Sequence, residues 1–219
     1  MSELCRAGQR YRTEQPGITS LHAFSFGAHY DPANVAFGPL IALNEEDLLP
    51  GSGFAPHPHA GVEIVTLVLS GTLHHRHGHS GVMVPAGHLQ RLDAVGGVTH
   101  SEAAGEEPLR FLQSWLVPQP DDEPVGEYAV AAVPEGRGWA TAAGDGGLPL
   151  RTRGARLLVG RFAAGEPVPL PPVCLLLVVS GALQLAGDEL TSGDSLRRHE
   201  SSAGEAQSAG AHLVAWVFG

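Results

Sequence analysis

Two short motifs carry the residue types that bind metal ions. His57-Pro58-His59 places two imidazoles two residues apart, and His100-Ser101-Glu102 repeats that spacing with an imidazole and a carboxylate. Side chains on an extended strand alternate between its two faces, so residues i and i+2 point the same way. Each motif can therefore direct both of its donors at one point, and two such strands side by side can close a mononuclear site. Three neutral imidazoles and a carboxylate suit a first-row divalent ion. Iron, manganese, nickel and copper would all accept these donors. If the first strand runs on past Gly61, Glu63 shares the face of His57 and His59.

Such a site needs strands to hold it. Short apolar runs at 62–69, 109–117, 157–162, 173–179 and 213–218 lie between scattered Gly and Pro residues. Runs of that length bounded by turn residues predict strands. No segment shows a sustained helical period with caps at both ends. Many short strands at regular spacing predict a β-sandwich or barrel. A weak repeat doubles the unit. Val68-Leu-Ser-Gly-Thr-Leu73 returns as Val178-Val-Ser-Gly-Ala-Leu183, so that Gly71 and Gly181 stand 110 positions apart (181 − 71). The stretch from Val84 through Gly87 to Arg91 parallels that from Leu190 through Gly193 to Arg197, and Trp115 parallels Trp216. The expected organisation is all-β, with two tandem barrels. A metal-binding domain would occupy 1–118, a Pro- and Gly-rich connector 119–147, and a second, metal-free barrel 148–219.

The formal net charge is −10, which argues against direct contact with a nucleic-acid backbone. No apolar stretch reaches the ~18 residues of a membrane span, and the N-terminus lacks the apolar core of a signal peptide. Cys5 and Cys174 read as free thiols, Cys174 within an apolar strand, and the expected location is the cytoplasm. The histidine-rich run 74–79 reads as the end of a hairpin, a solvated loop. His88 is expected in a turn. Of the aromatics Phe24, Phe26, Tyr30 and Phe37, some could line a pocket, with core packing the primary role.

More specific wording surrounds the histidines. Leu21-His-Ala-Phe-Ser-Phe-Gly27, Tyr30-Asp31-Pro32, His57-Pro-His-Ala-Gly-Val-Glu-Ile-Val-Thr66, Leu69-Ser-Gly-Thr-Leu73 and His100-Ser-Glu102 together resemble the pirin family of bicupins, within the cupin superfamily, over about residues 10–118. The resemblance implies two jelly-roll barrels, with one metal, commonly iron, held in the first by His57, His59, His100 and Glu102. Four protein ligands would leave two positions open. In ordinary cupins a carboxylate at the position of Glu63 is itself a ligand; the pirin pattern puts Glu63 behind the ligands, holding one of the histidines. The second barrel lacks a counterpart of the histidine pair, since Pro167 and Pro169 fall at the repeat offset and His199 and His212 are isolated. Members of the family are associated with quercetin 2,3-dioxygenase activity. That chemistry implies a small aromatic or enolic substrate, dioxygen, ring opening with loss of carbon monoxide, and Glu102 or Glu63 as proton acceptor. The resemblance also allows a non-catalytic alternative, a metal-dependent regulatory protein that binds a transcription factor or metabolic enzyme.

Overall fold

The computed structural model describes residues 2–200 and 202–219. Its strands, in chain order, are β1 (Ser2–Cys5), β2 (Tyr11–Gln15), β3 (Ile18–His22), β4 (Leu40–Leu48), β5 (Gly53–His59), β6 (Glu63–Ser70), β7 (Thr72–His77), β8 (Ser80–Pro85), β9 (His88–Asp93), β10 (Val98–Ala104), β11 (Leu109–Leu116), β12 (Tyr128–Ala132), β13 (Gly138–Ala143), β14 (Ala155–Leu170), β15 (Val173–Leu185), β16 (Asp188–Thr191), β17 (Ser195–His199) and β18 (Gly204–Phe218). No helix among the described residues is long and apolar enough to cross a membrane.

The chain divides into two compact units, one formed by 11–132 and 150–153, the other by 1–10, 133–149 and 154–219. These limits differ from those suggested by composition. The stretch 119–147, rich in Pro and Gly, contributes β12 to the first unit and β13 to the second, and the N-terminal strand β1 pairs with β17.

In the first unit, a seven-stranded antiparallel sheet in the order β12-β9-β6-β11-β4-β3-β2 faces a four-stranded sheet in the order β5-β10-β7-β8. One end of the space between them is filled by Ile18, Leu48, Val68 and Phe111 from the larger sheet and by Leu73, Val84 and Ala104 from the smaller. A second apolar group, Val62, Ile64, Leu92 and Ala94, lies apart from the first. The polar residues of interest sit among these apolar ones on the same strand faces.

In the second unit, β14, β15 and β18 are long, at 16, 13 and 15 residues. Both halves of β14, Leu158 near its start and Val168 and Leu170 at its end, join one core with Cys174, Val178, Leu183 and Leu213. The sheet therefore curls onto itself, bending where the register shifts at Ala164–Pro167 and at Val178–Ser180.

The repeated Ser-Gly has a physical reason in both units. Gly71 and Gly181 have φ of +75° and +78°. A Cβ on either would collide with a backbone carbonyl, that of Pro108 for Gly71 and that of Gly210 for Gly181. Only glycine meets both demands. Gly187, with φ +93° and open space where a Cβ would stand, isolates the conformational part alone. Gly187→Ala should cost about 1–2 kcal/mol of stability, and Gly181→Ala about 1–3 kcal/mol more, because overpacking adds to it. Urea unfolding of the two variants measures the difference; equal losses would remove the carbonyl contact from the explanation.

Candidate metal centre

His57 and His59 lie on β5, an outer strand of the smaller sheet. The neighbouring β10 carries His100 and Glu102. His59 stands opposite Val98 and His57 opposite His100, but Phe54 stands opposite Glu102. β5 therefore holds one extra residue between His57 and Phe54, a bulge at Ala55-Pro56. Proline has no N–H to lose from the ladder, so it fits there. Strict alternation would turn Phe54 away from the histidines; the bulge lets Phe54, His57 and His59 all face one cavity. The bulge also places the Ala55 carbonyl to accept the Nδ1–H of His57, at 2.8 Å.

The three imidazoles converge. Their ring centroids are 4.5 Å apart for His57 and His100, and 4.8 Å apart for His57 and His59 and for His59 and His100. One ring nitrogen from each lies within 4.8 Å of the others. With its Nδ1–H spent on Ala55, His57 offers Nε2. The Nε2 atoms of His59 and His100 are buried and have no hydrogen-bond partner. Buried polar atoms are rarely left in that state. A cation accepting three lone pairs satisfies them together, so the donors fit a metal ion. Burial, and then the neighbouring imidazoles, push the pKa of His100 down to about 3; burial and His57 push that of His59 down to about 4. Both rings are therefore neutral near pH 7, the form that ligates.

Glu102 projects from the same face of β10 as His100 and borders the same cavity. Its carboxylate accepts hydrogen bonds from Nε2 of Gln113 at 2.9 and 3.0 Å and from Nε2 of Gln90 at 3.3 Å. Among the described residues no cation pairs with it, and burial raises its pKa to about 7 even though Gln113 opposes the shift. A divalent ion would supply the missing positive charge.

Glu63 does not behave as the sequence suggested. β5 ends at His59, and the chain turns through Gly61, at φ +76°, before β6 starts. Alternation does not carry through that turn. Ile64, Thr66 and Val68 of β6 face the interior, while Glu63 lies on the opposite face. Its carboxylate accepts the backbone N–H groups of Arg151 and Thr152 at 2.7 and 3.0 Å and the Thr152 hydroxyl at 2.8 Å, with Arg91 3.9 Å away. Glu63 thus fastens the segment 150–153 to the first unit. Among the described residues its hydrogen bonds go to Arg151 and Thr152, not to the clustered histidines.

The run 74–79 also differs from expectation. Only its end turns; β7 continues to His77. Leu73, His75 and His77 take the inner face, and His75 is fully buried. Nε2 of His75 lies 3.0 Å from Nδ1 of His100. The Tyr128 ring stacks on His75 at 5.0 Å and 4° and lies 4.6 Å from His77. Its hydroxyl donates to Oε1 of Gln90 at 2.7 Å. Of the remaining residues, Phe26 lines the cavity, Phe24 and Phe37 are core, and Tyr30 is exposed. His22, buried, donates Nδ1–H to Asn44 and bonds Thr13 through Nε2 at the cavity wall. His88 opens β9 directly after the turn at Gly87. Among the described residues of the second unit no metal-ligating group forms, and Pro167 and Pro169 pair with Gln207 and Glu205.

The cavity beside the histidines has a volume of about 310 Å³. Phe26, Phe54 and Trp115 supply its apolar walls. Trp115 meets His59 edge-on at 4.7 Å and donates its indole N–H to Gln113 at 3.0 Å. Glu46, bonded to the Ser20 hydroxyl, closes another side. No Lys or Arg lines the space.

The family model described as Pirin matches residues 5–116. A Mycobacterium tuberculosis protein named as a candidate quercetin 2,3-dioxygenase is 38% identical over 222 residues, covering 92% of this chain and 88% of that protein. The Escherichia coli K12 protein named quercetin 2,3-dioxygenase is 36% identical over 122 residues, 54% of this chain and 53% of its own. Among solved structures, the bacterial pirin YhhW of Escherichia coli in complex with nickel(II) superposes with a TM-score of 0.90 at 25% identity, covering 100% of this chain and 99% of that one.

The raised pKa of Glu102 has a sign that can be tested. Between the ordinary value of 4.5 and about 7, the folded metal-free protein holds a proton that the unfolded chain releases. Stability from this group is full below pH 4.5 and is lost as the pH rises to about 7. The advantage of Glu102→Gln over the wild type should therefore grow across that window, to roughly 3 kcal/mol, and then level off. Urea unfolding of both metal-free proteins at pH 5, 6, 7 and 8 reads the difference; a constant gap would mean that the carboxylate is not strained by burial.

Proposed function

The chain belongs to the pirin family, and from that premise we propose that it is a metal-dependent dioxygenase acting on uncharged enolic or phenolic aromatics, flavonols such as quercetin among them. The observation that carries this reading is the conjunction at one wall of a single cavity. The imidazoles of His57 and His59 and the buried carboxylate of Glu102 line it beside aromatic side chains that leave a ligand-sized space, and the His100 ring packs against both histidines. A regulatory protein, the competing reading, has no need of such a space.

His57, His59 and His100 are the proposed ligands, with Glu102 as a fourth through its position on β10. The nickel(II) complex of YhhW supports a divalent ion at such a site, and iron(II) is our assignment here. When bound, a divalent ion would supply Lewis acidity toward an enolic hydroxyl and a redox partner for dioxygen. The protein contributes the remainder. Phe26, Phe54 and Trp115 offer flat apolar faces for a planar ring system. Glu102, held from behind by Gln113 and Gln90, takes the hydroxyl proton. No Lys or Arg among the described residues lines the space, so a carboxylate, sulfate or phosphate on the substrate would enter without a cationic side chain to pair with. With its two cysteines unpaired, we place the protein in the cytoplasm.

Oxygen uptake and loss of quercetin absorbance, followed with iron- or nickel-loaded protein, test the proposal. His59→Ala should lower the rate at least 100-fold, on the order of losing a ligand with its orienting shell. Glu102→Gln should lower kcat by about 10²–10⁴. Quercetin 3′-sulfate should be turned over far more slowly than quercetin. Loaded protein that consumes no oxygen with quercetin or another uncharged enol would overturn the assignment.

A further inference from the structure

We propose that His75 is a positioning residue for His100: its Nε2 lone pair accepts the Nδ1–H of His100 and so fixes the tautomer that presents His100 Nε2 to the metal. The inference rests on the three-histidine reading of the metal centre and adds a group behind it.

Proton counting carries it. The two nitrogens stand 3.0 Å apart in a buried contact, so one of them bears a hydrogen and the other a lone pair. The outward Nε2 of His100 is buried and unpartnered, beside His57 and His59. A lone pair on that atom leaves the single hydrogen of neutral His100 on Nδ1. His75 Nε2 must then be the acceptor, and the hydrogen of His75 falls on its own Nδ1, a buried atom with no partner. The opposite arrangement would put a hydrogen on His100 Nε2, aimed into the ligand cluster.

His75 is well placed to hold this arrangement. Its ring cannot swing freely, because Tyr128 stacks flat against it and His77 lies 5.1 Å away. Tyr128 is fixed in turn through its hydroxyl on Gln90. The two strands place their ligand supports differently. On β5, His57 finds its Nδ1 acceptor in the Ala55 carbonyl, formed by the bulge. On β10 the acceptor is a side chain delivered by β7, and an imidazole nitrogen is a stronger base than a peptide oxygen. His100 should accordingly be the more electron-rich donor of the two.

Cobalt(II) is the probe, with affinity read by chelator competition and geometry by the visible absorption bands. His75→Leu removes the acceptor and should weaken cobalt binding about 10–100-fold and shift the bands. His75→Gln restores an acceptor oxygen and should recover most of the affinity. Leu and Gln variants that lose affinity equally, or a Leu variant that binds like the wild type with the same spectrum, would overturn the proposal. If the Leu variant does not fold, ¹⁵N–¹H spectra of the wild-type imidazoles decide. A hydrogen on Nδ1 of His100 upholds the proposal, and one on Nε2 ends it. Turnover is not read, so a protein inactive toward quercetin fails the dioxygenase reading while the affinity ratio still judges His75.

Discussion

Four imidazoles packed within about one ring diameter of each other can share an interior only if they stay uncharged. His59, His75 and His100 meet this condition through burial, which makes an added proton costly, and through repulsion from the neighbouring imidazoles. The same burial works in the opposite sense on Glu102, whose anionic form is penalised with no positive group beside it. Neutral imidazoles beside a reluctant carboxylate make a place with donor electrons to spare. A divalent cation would settle both conditions.

That arrangement depends on small departures from regular sheet. Without the extra residue at Ala55-Pro56, β5 could not turn Phe54 and both histidines to the same side. Without glycine at 53, β5 could not lie against β10, because a Cβ there would press on the backbone of Glu102 and Ala103. Hydrogen bonding then fixes the side chains from behind. Gln90 and Gln113 hold Glu102, Ala55 holds His57, and Tyr128 links the two sides of the network through His75 and Gln90.

The all-β architecture and the paired His-x-His and His-x-Glu motifs were legible because strand alternation is local and each motif lies within a single strand. Glu63 misled for the same reason: its alternation was counted from His57 across Gly61, where the chain turns and the count begins again. The histidine-rich composition around His75 suggests a solvated tip, yet Leu73, His75 and His77 follow period two, and the apolar Leu73 marks the inner face. Tyr128 was hidden by the Pro- and Gly-rich composition around it, which spoke of a connector while the residues themselves formed a strand. Gln90 and Gln113 carry no metal-binding signature, because an amide that orients a carboxylate looks like any other amide until the fold brings them together.

The attachment of Glu63 to Arg151 and Thr152 bears on how the protein is made. The first unit is not a continuous piece of chain: it takes back four residues, 150–153, after the chain has already left to form β13. A nascent chain that has emerged only as far as β12 has every histidine of the site in hand, but the buried carboxylate of Glu63 still lacks the two N–H groups and the hydroxyl that satisfy it. On the ribosome, therefore, the first unit cannot reach its finished state until the beginning of the second has been synthesised. Cutting the chain between them would divide one folding unit rather than separate two.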